Sequence, residues 1–188
     1  MLSIKTFCNS NPIKCLLKSI ELKNIKHIKH ISTESRLKTI EFKTCQQLYP
    51  QKKKKNPKLY RKSPDDGLVV SVDYLDTYAD KDLTTGGLIK TIVAIHGIPG
   101  YYHHFNELIE LFVKNNDLNV RLIVPNMPDF SLTRKTMAFF HSNQERSQLL
   151  RDFLKAINVS TIDCLISHSA GIHPISVLWS DVSNRLLK

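Results

Sequence analysis

The chain has 188 residues, with 27 lysines and arginines against 17 acids and a formal charge of +10, a length that supports one domain or one domain and a tail. The charge is uneven: residues 1–64 carry 16 basic and 3 acidic residues, and residues 65–188 carry 11 and 14. The basic balance therefore belongs to the N-terminal part, and no nucleic-acid partner is expected, because such a footprint needs positive charge on a folded face with aromatics beside it. Cys8, Cys15, Cys45 and Cys164 form no C-x-x-C pair and no disulfide framework, which points to a reducing, intracellular compartment without a zinc site. No apolar run approaches the ~18 residues of a membrane span, so no transmembrane segment is expected.

Residues 1–33 read as a basic leader. Glu21 is its one acid, and Ile13, Leu16, Leu17 and Ile20 fall at i, i+3, i+4 and i+7, with Lys14 and Lys18 off that stripe. A basic, acid-poor amphipathic start is the pattern of a mitochondrial presequence, while the absence of arginine before Arg36 speaks for a disordered leader. Mitochondrial and cytoplasmic locations both stay open. A domain over residues 34–188 follows.

Within that domain, Leu37-Lys38-Thr39-Ile40-Glu41-Phe42 alternates as a half-buried edge strand. A lysine-rich insertion over about 44–66, centred on Lys52–Lys55, reads as a solvated loop, or as a nuclear-import or anionic-lipid contact. Leu68–Tyr74 is a second strand, and 80–87 a polar turn. The apolar run Thr91–Ile95 is a third strand that leads into His96-Gly97-Ile98-Pro99-Gly100. Phe105, Leu108, Ile109 and Phe112 then mark one face of a helix. Val120–Val124 is a fourth strand, closed by Pro125 and a loop through Asn126-Met127-Pro128-Asp129-Phe130. Ser142-x-x-Glu145 is a capping box that opens a helix whose apolar face is Leu149, Leu150, Phe153, Leu154 and Ile157. Cys164–Ile166 is a fifth, buried strand. After it, Ile172, Ile175, Trp179, Val182 and Leu186 recur at helical spacing, and Pro174 is tolerated only if that helix begins at about Ala170 or Gly171. Strands alternating with helices predict an α/β fold, a mostly parallel, doubly wound sheet covered on both faces, with sites at the carboxyl ends of its strands.

At one such end sits Ser167-His168-Ser169-Ala170-Gly171. Small residues around one serine suit a sharp strand-to-helix turn, where bulk would collide as the two backbones cross. Such a turn presents the Ser169 hydroxyl and aims the Ala170 N–H at the same point. Gly97-Ile98-Pro99-Gly100 lacks the spacing of a dinucleotide fingerprint and is followed by no P-loop lysine, so neither cofactor nor metal is expected.

The pentapeptide is one substitution from Gly-x-Ser-x-Gly, with Ser167 in place of the first glycine. Together with the His96–Gly100 loop upstream it resembles the nucleophile-elbow half of the α/β-hydrolase superfamily. It looks especially like the uncharacterised nematode-type branch, in which a His-Gly-x-Pro-Gly loop, an Asn-x-Glu-Arg helix start (here Asn143–Arg146) and a Gly-His-Ser elbow recur. The resemblance implies Ser169 as nucleophile, the backbone N–H groups of Ala170 and Ile98 as oxyanion donors, and a small-molecule acyl substrate. It also implies that His96, Gly97, Gly100, Asp129 and His168 are loop or pocket residues. His103 and His104 would line a pocket or face water, and His173 would point along the helix.

An α/β-hydrolase orders its triad as Ser, then Asp or Glu, then His. After Ser169 there are nineteen residues, with Asp181 the one acid and His173 the one histidine, so the expectation is a fold truncated after the nucleophile helix. Two functions follow: a serine-hydrolase-type protein, incomplete or inactive as this chain, or a non-catalytic binding or interaction protein on the same sheet. The leader should make few contacts with the sheet. The free edge at Cys164-Leu165-Ile166 would then invite self-association.

Overall fold

The computed structural model describes residues 4–8, 36–78, 89–114 and 119–186; the amphipathic stripe at 13–20 and the polar turn at 80–87 lie outside them. Six strands form one sheet: β1 (Ile4–Cys8), β2 (Leu37–Thr44), β3 (Leu68–Asp76), β4 (Lys90–Ile95), β5 (Val120–Pro125) and β6 (Cys164–His168), in the order β1-β6-β4-β5-β3-β2. Five described helices accompany them: α1 (Leu48–Lys55), α2 (Asn106–Lys114), α3 (Phe130–Thr136), α4 (Asn143–Ala156) and α5 (Ile172–Leu186).

The sheet is mixed, which corrects the expectation of a mostly parallel one. β4 runs parallel to β5 and to β6, whereas β1–β6, β2–β3 and β3–β5 are antiparallel. Parallel neighbours arise where a helix carries the chain back across the sheet, as α2 does between β4 and β5, and α4 between β5 and β6. The stretch from β2 to β3 holds only α1 and a turn closed at Gly67, so those strands meet as an antiparallel pair from Leu37↔Leu75 to Thr44↔Leu68.

Alternate residues of β4 divide the core. Ile92 and Ala94 lie in one apolar cluster with Phe105, Ile109 and Phe112 from the α2 side, while Val93 and Ile95 lie in another with Leu149, Leu150 and Phe153 of α4 and Ile175 and Leu178 of α5. Each fully buried side chain of this size contributes about 1.5–3 kcal/mol, so burial on both faces of β4 fixes the strands that carry the two loops of interest. The capping box forms as read: the Ser142 hydroxyl accepts from the Glu145 N–H, and the Glu145 carboxylate accepts from the Ser142 N–H at 2.9 Å and the Phe140 N–H at 3.2 Å.

Three elements differ from the expectations. The lysine block is helical over Leu48–Lys55, because lysine is a good helix former, Pro50 sits in the first turn where its missing N–H costs little, and Tyr49 is buried. Residues 130–136 are helical, with Asp129 as N-cap accepting from the Ser131 N–H at 2.8 Å. The leader contributes β1, which pairs with β6 over the register Ile4↔His168 to Cys8↔Cys164. The Cys164-Leu165-Ile166 edge is therefore covered, not free. Among the described residues the sheet's outer strands are β1 and β2; β2 carries Lys38 and Lys43, and lysine on an edge strand discourages pairing with another chain.

Candidate active site

β6 ends at His168, a single 3-10 turn spans Ser169–Gly171, and α5 begins at Ile172. Ser169 is exposed and its φ is +52°, the left-handed region that costs a residue with a side chain about 1–2 kcal/mol. The reason lies in its neighbours. A Cβ on Gly171 would fall 2.5 Å from the Ile95 carbonyl oxygen and 2.8 Å from that of His96, so the first helical turn lies directly on the end of β4. A Cβ on Gly97 would come within 2.8 Å of the Ser169 Cβ and 3.2 Å of its Oγ. Glycine at 97 and 171 lets the His-Gly loop and the elbow approach this closely. Ser167, in place of an elbow glycine, is buried and tolerated within β6.

His96 is not available as a base. Its Nδ1 lies 2.6 Å from the Gly97 carbonyl oxygen, and its Nε2 accepts the Met127 N–H at 2.9 Å. These partners fix the neutral tautomer with the proton on Nδ1, and burial holds the ring's pKa below its ordinary value. His96 is thus a strut between the two loops. Gly100 closes the loop over it: a Cβ there would fall 2.7 Å from the Gly97 carbonyl oxygen, 2.8 Å from the His96 Nδ1 and 3.0 Å from the His104 Cε1. Ile98 follows in the same loop, half-buried, and Ala170, also half-buried, is the second residue of the elbow turn.

The residues after β5 each perform a positioning task. The Asn126 Oδ1 accepts from the Tyr102 N–H at 2.8 Å, Met127 donates to His96, and the Pro128 carbonyl oxygen accepts from the Arg146 Nη2 at 3.3 Å. Asp129 faces water, and hydrogen bonding to Ser131 draws its pKa down. Through that bond it caps α3. The Asn143–Arg146 motif is explained by the same truss: Glu145 and Arg146 are buried, Glu145 closes the cap, and Arg146 reaches the loop. Burial pulls the Arg146 pKa down to about 10.

The His168 ring packs edge-on against His104 at 5.6 Å, and His104 packs against His96 at 6.4 Å. The His168 Nδ1 is buried without a hydrogen-bond partner among the described residues. His103 is stacked on Tyr102 at 4.0 Å, and both His103 and His173 are exposed. Sequence reasoning passed over His141, which has φ +58° and stands edge-on to Phe130 and Phe139; burial lowers its pKa to about 4. Nothing in the local sequence marks it, because its setting is made by side chains from α3 and the loop after it.

A cavity of about 400 Å³ opens at the opposite end of the sheet, bordered by Lys38, Asp76, Thr91, Arg121 and Ile157. Arg121 there grips the buried Asp76 carboxylate through Nε at 3.1 Å and Nη2 at 2.7 Å. Among the described residues there is no cluster of metal-ligating side chains, and no helix is long and apolar enough to cross a membrane.

No curated protein matches the chain. A protein-family model described as alpha/beta hydrolase of unknown function (DUF1057) matches residues 52–178, a span that holds the His96–Gly100 loop, the Glu145–Arg146 truss and Ser169. With most of its length inside that match, the chain belongs to this alpha/beta hydrolase family.

Proposed function

We propose that this chain is a serine-hydrolase-type protein in which Ser169 attacks the acyl carbon of an ester, thioester or amide, and the N–H groups of Ala170 and Ile98 receive the oxyanion. The observation that carries the reading is the exposed Ser169, held at φ +52° against Gly97, since such strain persists where the surrounding structure over-determines it. Each oxyanion donor is typically worth about 2.7–4 kcal/mol. On this reading the chain falls in the nematode-type branch of the superfamily.

A second reading, a non-catalytic binding protein on the same sheet, is favoured by what His96 and Asp129 are occupied with. His96 spends both ring nitrogens on backbone, and Asp129 spends its carboxylate on a helix cap. A serine without a base retains only the residual ~10³–10⁴ over water that binding and an oxyanion hole supply. A fluorophosphonate probe separates the two. Adduct mapped to Ser169, and absent from a folded Ser169→Ala variant, supports the hydrolase reading. No adduct on the folded wild-type chain favours the binding protein. If the hydrolase reading holds with no base at hand, turnover of a simple aryl ester stays within a few-fold of Ser169→Ala.

A further inference from the structure

Cys8 and Cys164 stand directly opposite each other in the β1–β6 ladder, although one belongs to the leader and the other to the strand before the elbow. Facing residues of an antiparallel pair have Cα atoms about 4.5 Å or about 5.5 Å apart, depending on the hydrogen-bonding phase. Both distances fall within the ~4.4–6.8 Å that a disulfide spans. The register is needed for this: a slip of one residue would bring Phe7 or Asn9 opposite Cys164. Cys164 is fully buried, with Ile92 of β4 on its other side. Cys45 belongs to a different part of the core beside β2, where burial pushes its pKa up to about 12, and a thiol of that kind is inert.

We propose that Cys8 and Cys164 are a disulfide-forming pair, a covalent latch that fixes the N-terminal strand onto the strand leading into Ser169. The oxidant is a small-molecule disulfide of the glutathione type. Among the described residues β1 is an edge strand paired on one side, and an edge strand opens locally before the rest of a sheet. The Cys8 thiolate attacks the small disulfide, one S–S bond breaks as another forms, and one small thiolate leaves and takes up a proton. The same opening uncovers Cys164, whose thiolate attacks the Cys8 sulfur and expels the second small thiolate, and β1 then closes over the bond. Two protein thiols are oxidised and one small disulfide is reduced to two thiols. In a chain without a disulfide framework, such a bond acts as a reversible redox switch, not as scaffold.

The consequence reaches the elbow, because Ile4 pairs with His168, the residue before Ser169. With the latch open, five residues of backbone pairing hold β1; with it closed, β1 cannot leave without breaking a covalent bond. This holds whether or not Ser169 is a nucleophile.

The test uses the reduced, folded full chain incubated with glutathione disulfide, alkylated and digested without reduction. The expected product is a peptide joining Cys8 to Cys164 within monomers, lost in Cys8→Ser and retained in Cys15→Ser. Tryptic cleavage after Lys5 should slow at least tenfold in the oxidised chain and recover with dithiothreitol. Three results would overturn the proposal: Cys164 still alkylated as a thiol, Cys164 joined to Cys15 as often as to Cys8, or the Cys8–Cys164 bond found between two copies. The wild-type disulfide map is decisive by itself, so the outcome does not depend on either variant folding.

Discussion

At the carboxyl ends of β4 and β6, backbone lies against backbone with no room for a Cβ at Gly97 or Gly171, and the exposed serine there sits in a strained conformation. At the amino ends of β4 and β5 the sheet is held by charged pairs instead, Asp76 with Arg121 and Asp163 with Lys90, beside a cavity of about 400 Å³. This cavity and the strained serine are thus at opposite ends of one sheet. The roomy end is stabilised by ion pairs that a point substitution can break singly, and the cramped end by steric fit that any added methyl disturbs.

Substitutions that tell the two ends apart should follow this division. Gly171→Ala should cost the most, about 3 kcal/mol or more by chemical denaturation, because the clash is with carbonyl oxygens of β4 that cannot rotate away; a loss below ~1 kcal/mol would mean that the elbow is loosely seated. Asp76→Ala should cost about 2–3 kcal/mol, since it leaves Arg121 without its carboxylate, and breaking a buried pair from one side usually costs ~3–5 kcal/mol. Arg121 is one-quarter exposed and keeps some hydration, which trims the figure. Fluorophosphonate labelling of Ser169, if present, should survive Asp76→Ala, which lies at the far end.

The third comparison is by pH. His141 and His96 both have folded pKa values below the ordinary 6.5, that of His141 near 4, with burial as the leading cause. Below pH 6.5 the unfolded chain binds protons that the folded one refuses, so their contribution is complete above about pH 6.5 and is lost as pH falls toward 4. His141→Phe should flatten that part of the stability curve; an unchanged slope would show that His141 is not held neutral. The smallest effect is expected from Ser169→Gly. Relief of the left-handed conformation outweighs the entropy cost of glycine, for a net gain of about 0.5–1 kcal/mol, while labelling disappears. A destabilised Ser169→Gly would indicate that the hydroxyl, not the backbone, is what the fold needs at that position.

The elements legible in the sequence were those whose signal is local. The β4 and β6 runs, the capping box at Ser142–Glu145, and the small-residue turn at Ser169 each carry their cause within a few residues, and each formed where expected. The elements missed draw their cause from elsewhere. β1 is five residues of a lysine-rich leader, and its partner lies at the other end of the chain, so no local pattern could announce it. Helix α1 was hidden because four lysines read as solvated, although the same residues suit a helix once Tyr49 is anchored in the core. Among the site residues, the approach of Gly97 to Ser169 was foreseeable from the two motifs. The role of Asp129 was not, because an acid after a strand serves equally well as a pocket wall and as a helix cap.

The pairing of Ile4–Cys8 with Cys164–His168 also has a meaning in time. A ribosome adds roughly 5–20 residues per second, so the first strand emerges and then waits about 10–30 s before its partner exists. Contacts between the two ends of a chain form late in any case, because the loop they close is long. During that interval the lysine-rich start is available to whatever reads an unpaired leader, and completion of β6 ends the opportunity. Nascent chains stalled before residue 164 should therefore lose their first residues to protease, while released full-length chains should keep them.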